Sequence, residues 1–183
     1  SLWASSLMQI GVNIGWIFVG TWFATYLLEE YSVPIHERGL MAMTPFFVAW
    51  FGSITGGIAT DLFARRLGLT WGRRLPLMLG IGLAATAFCL CPFLNNPWAV
   101  TGMMAMMAFG VDFAVPAMWA FNQDIGGEYA GSILGWGNMW GNLGGAISPM
   151  LLVYISEKYS WNTMFFFCAI VMTLAALICL LID

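Results

Sequence analysis

Apolar residues run in six blocks along this chain, each about 20 to 26 residues long, and the polar residues gather in the short gaps between them. Within a block there is no alternation: Met103 to Gly110 reads Met-Met-Ala-Met-Met-Ala-Phe-Gly. Barrel strands need apolar and polar positions to alternate over about ten residues, so the blocks are helices. At the helical rise, roughly 20 residues cross a hydrocarbon core about 30 Å thick, and every block is long enough to do so alone. The pattern predicts spans near 3–28, 39–62, 75–94, 97–122, 130–155 and 162–182. The fold class is all-α, a polytopic membrane protein whose residues 1–183 form one six-helix bundle.

Punctuation agrees with the spans. Pro34 follows the first, Pro76 lies one turn into the third, and Asn95-Asn96-Pro97 is a tight turn with proline favoured at the next helix start. Pro45, Pro116 and Pro149 fall inside spans, where each removes a backbone hydrogen bond and should kink its helix. The fifth span is the least lipid-like. Gly131, Gly135, Asn138, Asn142, Gly145 and Pro149 recur along one face, and Gly137, Gly141, Gly144 and Ser148 along its neighbour. Small residues at this spacing let backbones approach, so the helix should pack in protein on at least two sides. Asn138 and Asn142 are costly against hydrocarbon and should point at another helix or a wet cavity.

Composition strengthens this picture. In 183 residues, 61% are hydrophobic and only 8% charged, a surface that acyl chains solvate and water does not. The net charge of −3 matters less than where the charges lie. Arg65, Arg66, Arg73 and Arg74 crowd the connection between the second and third spans, which the positive-inside tendency assigns to the cytoplasm. Both chain ends then lie inside, in a plasma membrane or bacterial inner membrane. The other face carries Glu29, Glu30, Glu37, Arg38, Glu157 and Lys158, with no basic excess. Trp3, Trp71, Trp98 and Trp161 fall near span ends, at headgroup level. The four cysteines lie inside apolar spans, as small hydrophobes. The chain opens on Ser1 and shows no cleavable leader, as expected of a piece of something longer.

Few side chains can carry chemistry. Asp112 is the sole ionisable group deep within a span, and a carboxylate there costs at least about 2.5 kcal/mol. It should face a cavity, find a partner or be protonated, acting in proton coupling or gating, or else fixing helix packing beside Pro116. Gln9 and Asn13 lie one turn apart and share a face; an interhelical hydrogen bond is their plainest use. Asp61 sits with the four arginines at an inside-facing connection, where it would suit the amino end of a neighbouring helix. An intramembrane hydrolase fails on inventory. The lone histidine, His36, is in a loop far from Ser132, and the spans hold neither paired carboxylates nor Cys/His metal spacing. No catalytic residue, metal or cofactor is expected, and no nucleic acid among the partners. A channel or a structural membrane subunit needs no signature and stays open as the alternative to a transporter.

Ordered motifs sharpen the choice. Gly57, Asp61, Arg65-Arg66 and Arg73-Arg74 form a connection that resembles the G-x-x-x-D-(R)-x-x-x-x-R-R loop of the major facilitator superfamily. The run Gly15-Trp16-Ile17-Phe18-Val19-Gly20-Thr21-Trp22-Phe23-Ala24-Thr25-Tyr26-Leu27 is similar to the seventh helix of its anion:cation symporter branch. Asp124 to Gly131, then Gly137 to Gly145 with Ser148-Pro149, is similar to the tenth-to-eleventh helix region of that branch. The resemblance extends from about Gln9 to Asp183. It departs at Ala24, where relatives have proline, at Ile17, where they have an aromatic, at Leu62, where Arg usually follows the aspartate, and by one residue in the tenth-to-eleventh connection.

The resemblance implies that the chain is helices seven to twelve, the carboxyl half of a twelve-helix secondary transporter. Its activity would be proton-coupled, or sodium-coupled, symport of a small organic anion such as a hexuronate, aldonate or aldarate, by alternating access against a missing amino-terminal six-helix half. Gln9, Asn13, Trp119 and Asn138, with Asn142 one turn beyond, would then bind the substrate. Asp112 would couple the proton, and Asp61 with Arg65, Arg73 and Arg74 would form a gate. The basic residues that grip a carboxylate would lie in the missing half.

Overall fold

The computed structural model describes residues 2–182; Ser1, on which the chain opens, and Asp183, where the resemblance ends, lie outside the described residues. Those described residues are helical almost throughout, with no strand. Helix α1 (Leu2–Thr21) passes into α2 (Phe23–Tyr31) through a bend at Trp22. At this joint Thr21 Oγ1 donates to the Ile17 carbonyl at 2.6 Å. The ladder is bent rather than cut, because the Trp22 N–H still reaches the Phe18 carbonyl at 2.8 Å. Ser32, at φ 51°, closes α2 in the left-handed region, and the Ser32 and Val33 N–H groups cap Leu28 and Leu27.

The predicted second and third spans are joined in one element, α3 (Ile35–Leu90). A straight helix of 56 residues would extend about 84 Å, far beyond any bilayer. This one folds back at Gly68, whose φ of 81° and ψ of 171° suit glycine. Gly72 lies directly against the Ala64 backbone across the reversal, leaving no room for a side chain. The charged connection expected between two spans is therefore helical on both sides and turns at one residue. Helix α4 (Pro97–Gly126) starts on the predicted proline, with Asn96 Oδ1 accepting the Trp98 N–H at 2.8 Å. A 3₁₀ turn (Gly127–Tyr129) leads to α5 (Ala130–Lys158), and α6 (Trp161–Ile178) closes the bundle. Helix boundaries thus do not fall one to a predicted span.

Four stretches, Leu2–Thr21, Ile35–Phe93, Pro97–Lys158 and Trp161–Leu181, are long and apolar enough to cross a membrane. Helix α4 lies between the two arms of α3: Gly52 and Gly56 seat the first arm on the backbone at Phe109 and Phe113, and Gly80 seats the second on Gly110. Helix α1 packs against both α5 and α6. Near the α2 end of the bundle, Phe18, Tyr26 and Phe88 cluster around Phe165, with centroid separations of 5.4, 5.0 and 6.3 Å. Much of the outer wall is exposed and apolar, including Phe47, Trp50, Ile58, Met150 and Leu174. Acyl chains cover such a wall at no cost.

The internal prolines stay within continuous helices. At Pro149 the lost backbone bond is replaced: Ser148 Oγ donates to the orphaned Gly145 carbonyl at 3.0 Å. Helix α5 differs from expectation in its packing. The Gly137, Gly141, Gly144 side is buried against α1, whereas Gly131 and Gly135 meet nothing within 4 Å and Asn138 and Asn142 are exposed. The second small-residue face is open from Gly131 to Asn142 and closes at Gly145, which is buried beside Ile17 of α1.

Candidate functional site

Three helices meet at a cleft of about 160 Å³ lined by Gln9 and Asn13 of α1, Met118, Trp119 and Asn122 of α4, and Leu134, Gly135 and Asn138 of α5. The close approach of α1 to α5 makes it. A side chain at Gly137 would collide with the Gln9 carboxamide, and a Cβ at Gly141 would stand 2.8 Å from Asn13 Nδ2. The amides are held as well as placed. Asn13 Nδ2 donates to the Gln9 carbonyl at 3.0 Å, and Gln9 Nε2 donates to Ser5 Oγ at 3.2 Å. Ser5 Oγ donates across to Asn122 Oδ1 of α4 at 2.8 Å. Gln9 thus joins an interhelical chain and lines the cleft at once.

Trp119 is 48% exposed and offers an open indole face beside these amides. Asn138 enters from α5. Asn142 does not line the cleft; it lies one turn on, with Nδ2 donating to the Asn138 carbonyl at 2.9 Å and reaching Asn138 Oδ1 at 3.3 Å. The set is a few polar groups against an aromatic and aliphatic wall, the composition of a small-molecule site. It contains no charged side chain. Ser5 and Asn122 escaped the sequence reading. Their signal was present, since Ser5, Gln9 and Asn13 form a four-residue polar ladder and Asn122 stands one turn from Trp119.

Asp112 is half-buried on α4 and borders no part of this cleft. It stands seven residues before Trp119, two turns along the same face. No hydrogen bond or ion pair joins it to another described residue. Asp61 and Arg65 are exposed near the α3 reversal, and Asp61 makes no ion pair among the described residues. Arg73 instead pairs with Asp124 at the end of α4, Nε to Oδ2 2.9 Å. Arg74 Nε donates to the Ile182 carbonyl at 2.6 Å and its guanidinium lies 5.6 Å from the Trp71 ring centroid. These two arginines tie the second arm of α3 to α4 and to the end of the chain.

A larger hollow, about 680 Å³, opens along Leu40, Met43, Thr44, Phe46, Phe47 and Trp50. Its one hydroxyl, on Thr44, already donates to the Leu40 carbonyl, so the wall is almost wholly apolar. Among the described residues no group of three His, Cys, Asp or Glu is placed to hold a metal ion.

The sequence model of the Major Facilitator Superfamily matches residues 5–183. A probable galactarate/D-glucarate transporter of Escherichia coli strain K12, GarP, is 34% identical over 167 residues, covering 86% of this chain and 37% of that protein. The D-galactonate transporter of Escherichia coli O6:H1 is 29% identical over 162 residues, covering 83% of this chain and 37% of that protein. The chain therefore spans little more than a third of the length of these curated relatives. A solved structure of a bacterial homologue of the human drug peptide transporters superposes with a TM-score of 0.79 at 14% identity, covering 98% of this chain and 40% of that one. At that identity the likeness is one of fold.

Proposed function

Because the chain belongs to the major facilitator superfamily, we propose that it forms the carboxyl-terminal half of a secondary transporter that moves a small polyhydroxylated organic anion, a hexuronate, aldonate or aldarate, together with a proton. One observation carries the reading: Gln9, Asn13, Trp119 and Asn138, from three separate helices, converge on a single cleft. Carboxamides both donate and accept, which suits ligand hydroxyls, and the Trp119 face suits the carbon chain between them. The relatives named as galactarate/D-glucarate and D-galactonate transporters support the ligand class. No cation lines the cleft, so the ligand carboxylates are met by basic groups of the amino-terminal half.

In this proposal α1 with α2, each arm of α3, and α4, α5 and α6 each cross the bilayer once. The Gly68 reversal, flanked by Arg65, Arg66, Arg73 and Arg74, faces the cytoplasm, as do both ends, in a bacterial inner membrane. The open α5 face, with Gly135, Asn138 and Asn142, fronts the other half, and rocking of the two halves exposes the cleft to either side in turn. Asp112, two turns from Trp119 and without a cationic partner among the described residues, takes and releases the coupling proton. Asp61, with Arg65, Arg73 and Arg74, closes the cytoplasmic gate against a helix end of the other half.

Counterflow tests the reading. Proteoliposomes of the intact transporter preloaded with unlabelled galactarate or galactonate should take up the labelled anion transiently and saturably. Uptake that never saturates would mark a channel, and no exchange of any sugar acid would mark a structural subunit; either result overturns the proposal.

A further inference from the structure

Asn122 is 2% exposed, yet it borders the cleft. Its hydrogen bonding has a direction. Gln9 Nε2 donates to Ser5 Oγ, and a hydroxyl that accepts there has its single proton left for another acceptor, which is Asn122 Oδ1. Donation therefore runs from Gln9 to Ser5 to Asn122, and this order fixes which end of each carboxamide is used inside the protein. Asn122 keeps Nδ2 and Gln9 keeps Oε1, and neither atom bonds to another described residue. Neither is sealed away: among the described residues, the fully buried side-chain nitrogens and oxygens without partners are in Trp22, Arg38, Trp136 and Trp140. The absence of a side chain at Gly137 gives the Gln9 amide its seat, and a flipped Gln9 would have to reverse the whole chain.

A side chain this buried, with one half of its amide committed and the other half bordering a cleft, is unsatisfied until a ligand or water arrives. We infer that Asn122 is a specificity-determining residue, donating from Nδ2 to a ligand oxygen while Gln9 Oε1 accepts a ligand hydroxyl, with Ser5 as the positioning residue that holds both amides in this sense. The pair favours a hydroxylated carbon chain, because a hydroxyl donates and accepts whereas a methylene leaves both amide atoms unpaired. This rests on the reading of the chain as part of an organic-anion transporter.

The test compares ligands of equal length and charge that differ in hydroxyls: galactarate with adipate, and galactonate with hexanoate, each competing in counterflow by the intact transporter. The unaltered protein should prefer the hydroxylated member of one pair. Asn122→Asp keeps the acceptor for Ser5 and removes the donor, and Asn122→Leu removes both without adding charge. Each should lower the preference for the hydroxylated ligand about tenfold, and Asn122→Leu, which adds no charge, should move the deoxy partner less than about twofold. Ser5→Ala, which frees both amides to turn, should lower the preference about threefold. A preference that survives in both Asn122 variants overturns the inference and leaves the transport reading standing. Where those variants do not fold, an unchanged preference in Ser5→Ala overturns it. An unaltered protein that binds no member of either pair removes the transport reading, and this inference with it.

Discussion

Gln9 sits where it does because residue 137 has no side chain, and the same dependence on single small residues recurs through the site. Gln9 and Asn13 were legible in the sequence from their four-residue spacing in an otherwise apolar span, and Trp119 and Asn138 from the ordered resemblance. Ser5 shares that spacing, but a serine within a span satisfies itself on its own helix as readily as it bridges to another, so the spacing alone did not single it out. Asn122 stands one turn from Trp119, but only the fold brings α4 against α1 at that height and so gives it a partner. Asp112 is legible as costly but not as placed: its face of α4 follows from the period, its distance from the cleft does not. If Asp112 carries the proton, Asp112→Asn should abolish proton-driven accumulation in proteoliposomes yet leave exchange of the sugar acid within about twofold, since exchange needs no net proton movement. Accumulation that persists at every imposed proton gradient would return Asp112 to packing beside Pro116.

At the scale of elements, hydropathy gave the right class of structure but neither the helix lengths nor the joints. The bend at Trp22 parts α1 from α2 within what hydropathy shows as one apolar block. The reversal at Gly68 fell where charge suggested a loop, yet helix continues to either side of that one residue. The glycine stripe of α5 was read correctly as a packing face along Gly137, Gly141 and Gly144; its twin is uncovered at Gly131 and Gly135 and covered only at Gly145. Packing of α1 on α5 is testable by itself. A Cβ at Gly144 would stand 2.7 Å from the Ile10 carbonyl, so Gly144→Val must push the helices apart. Overpacking of this kind costs about 1–3 kcal/mol, and the thermal unfolding midpoint in detergent should fall by several degrees. An unchanged midpoint would mean that α1 and α5 do not meet along this stripe.

For the whole molecule, the distribution of surface makes the argument. An outer wall of exposed phenylalanine, leucine and isoleucine calls for lipid, whereas the amides of the cleft and the open side of α5 call for water and a polar ligand. Both demands are met if lipid covers the wall and the cleft opens onto an aqueous path between two halves. Placing single cysteines by Gln9→Cys, Trp119→Cys and Asn138→Cys in the intact transporter, with exposed Cys89 replaced, measures this directly. A membrane-impermeant thiol reagent should modify Trp119→Cys and Asn138→Cys, and the buried Gln9→Cys more slowly, with galactarate or galactonate slowing all three. Failure of the reagent to reach any of the three positions, in every state the transporter can be driven into, would contradict the account.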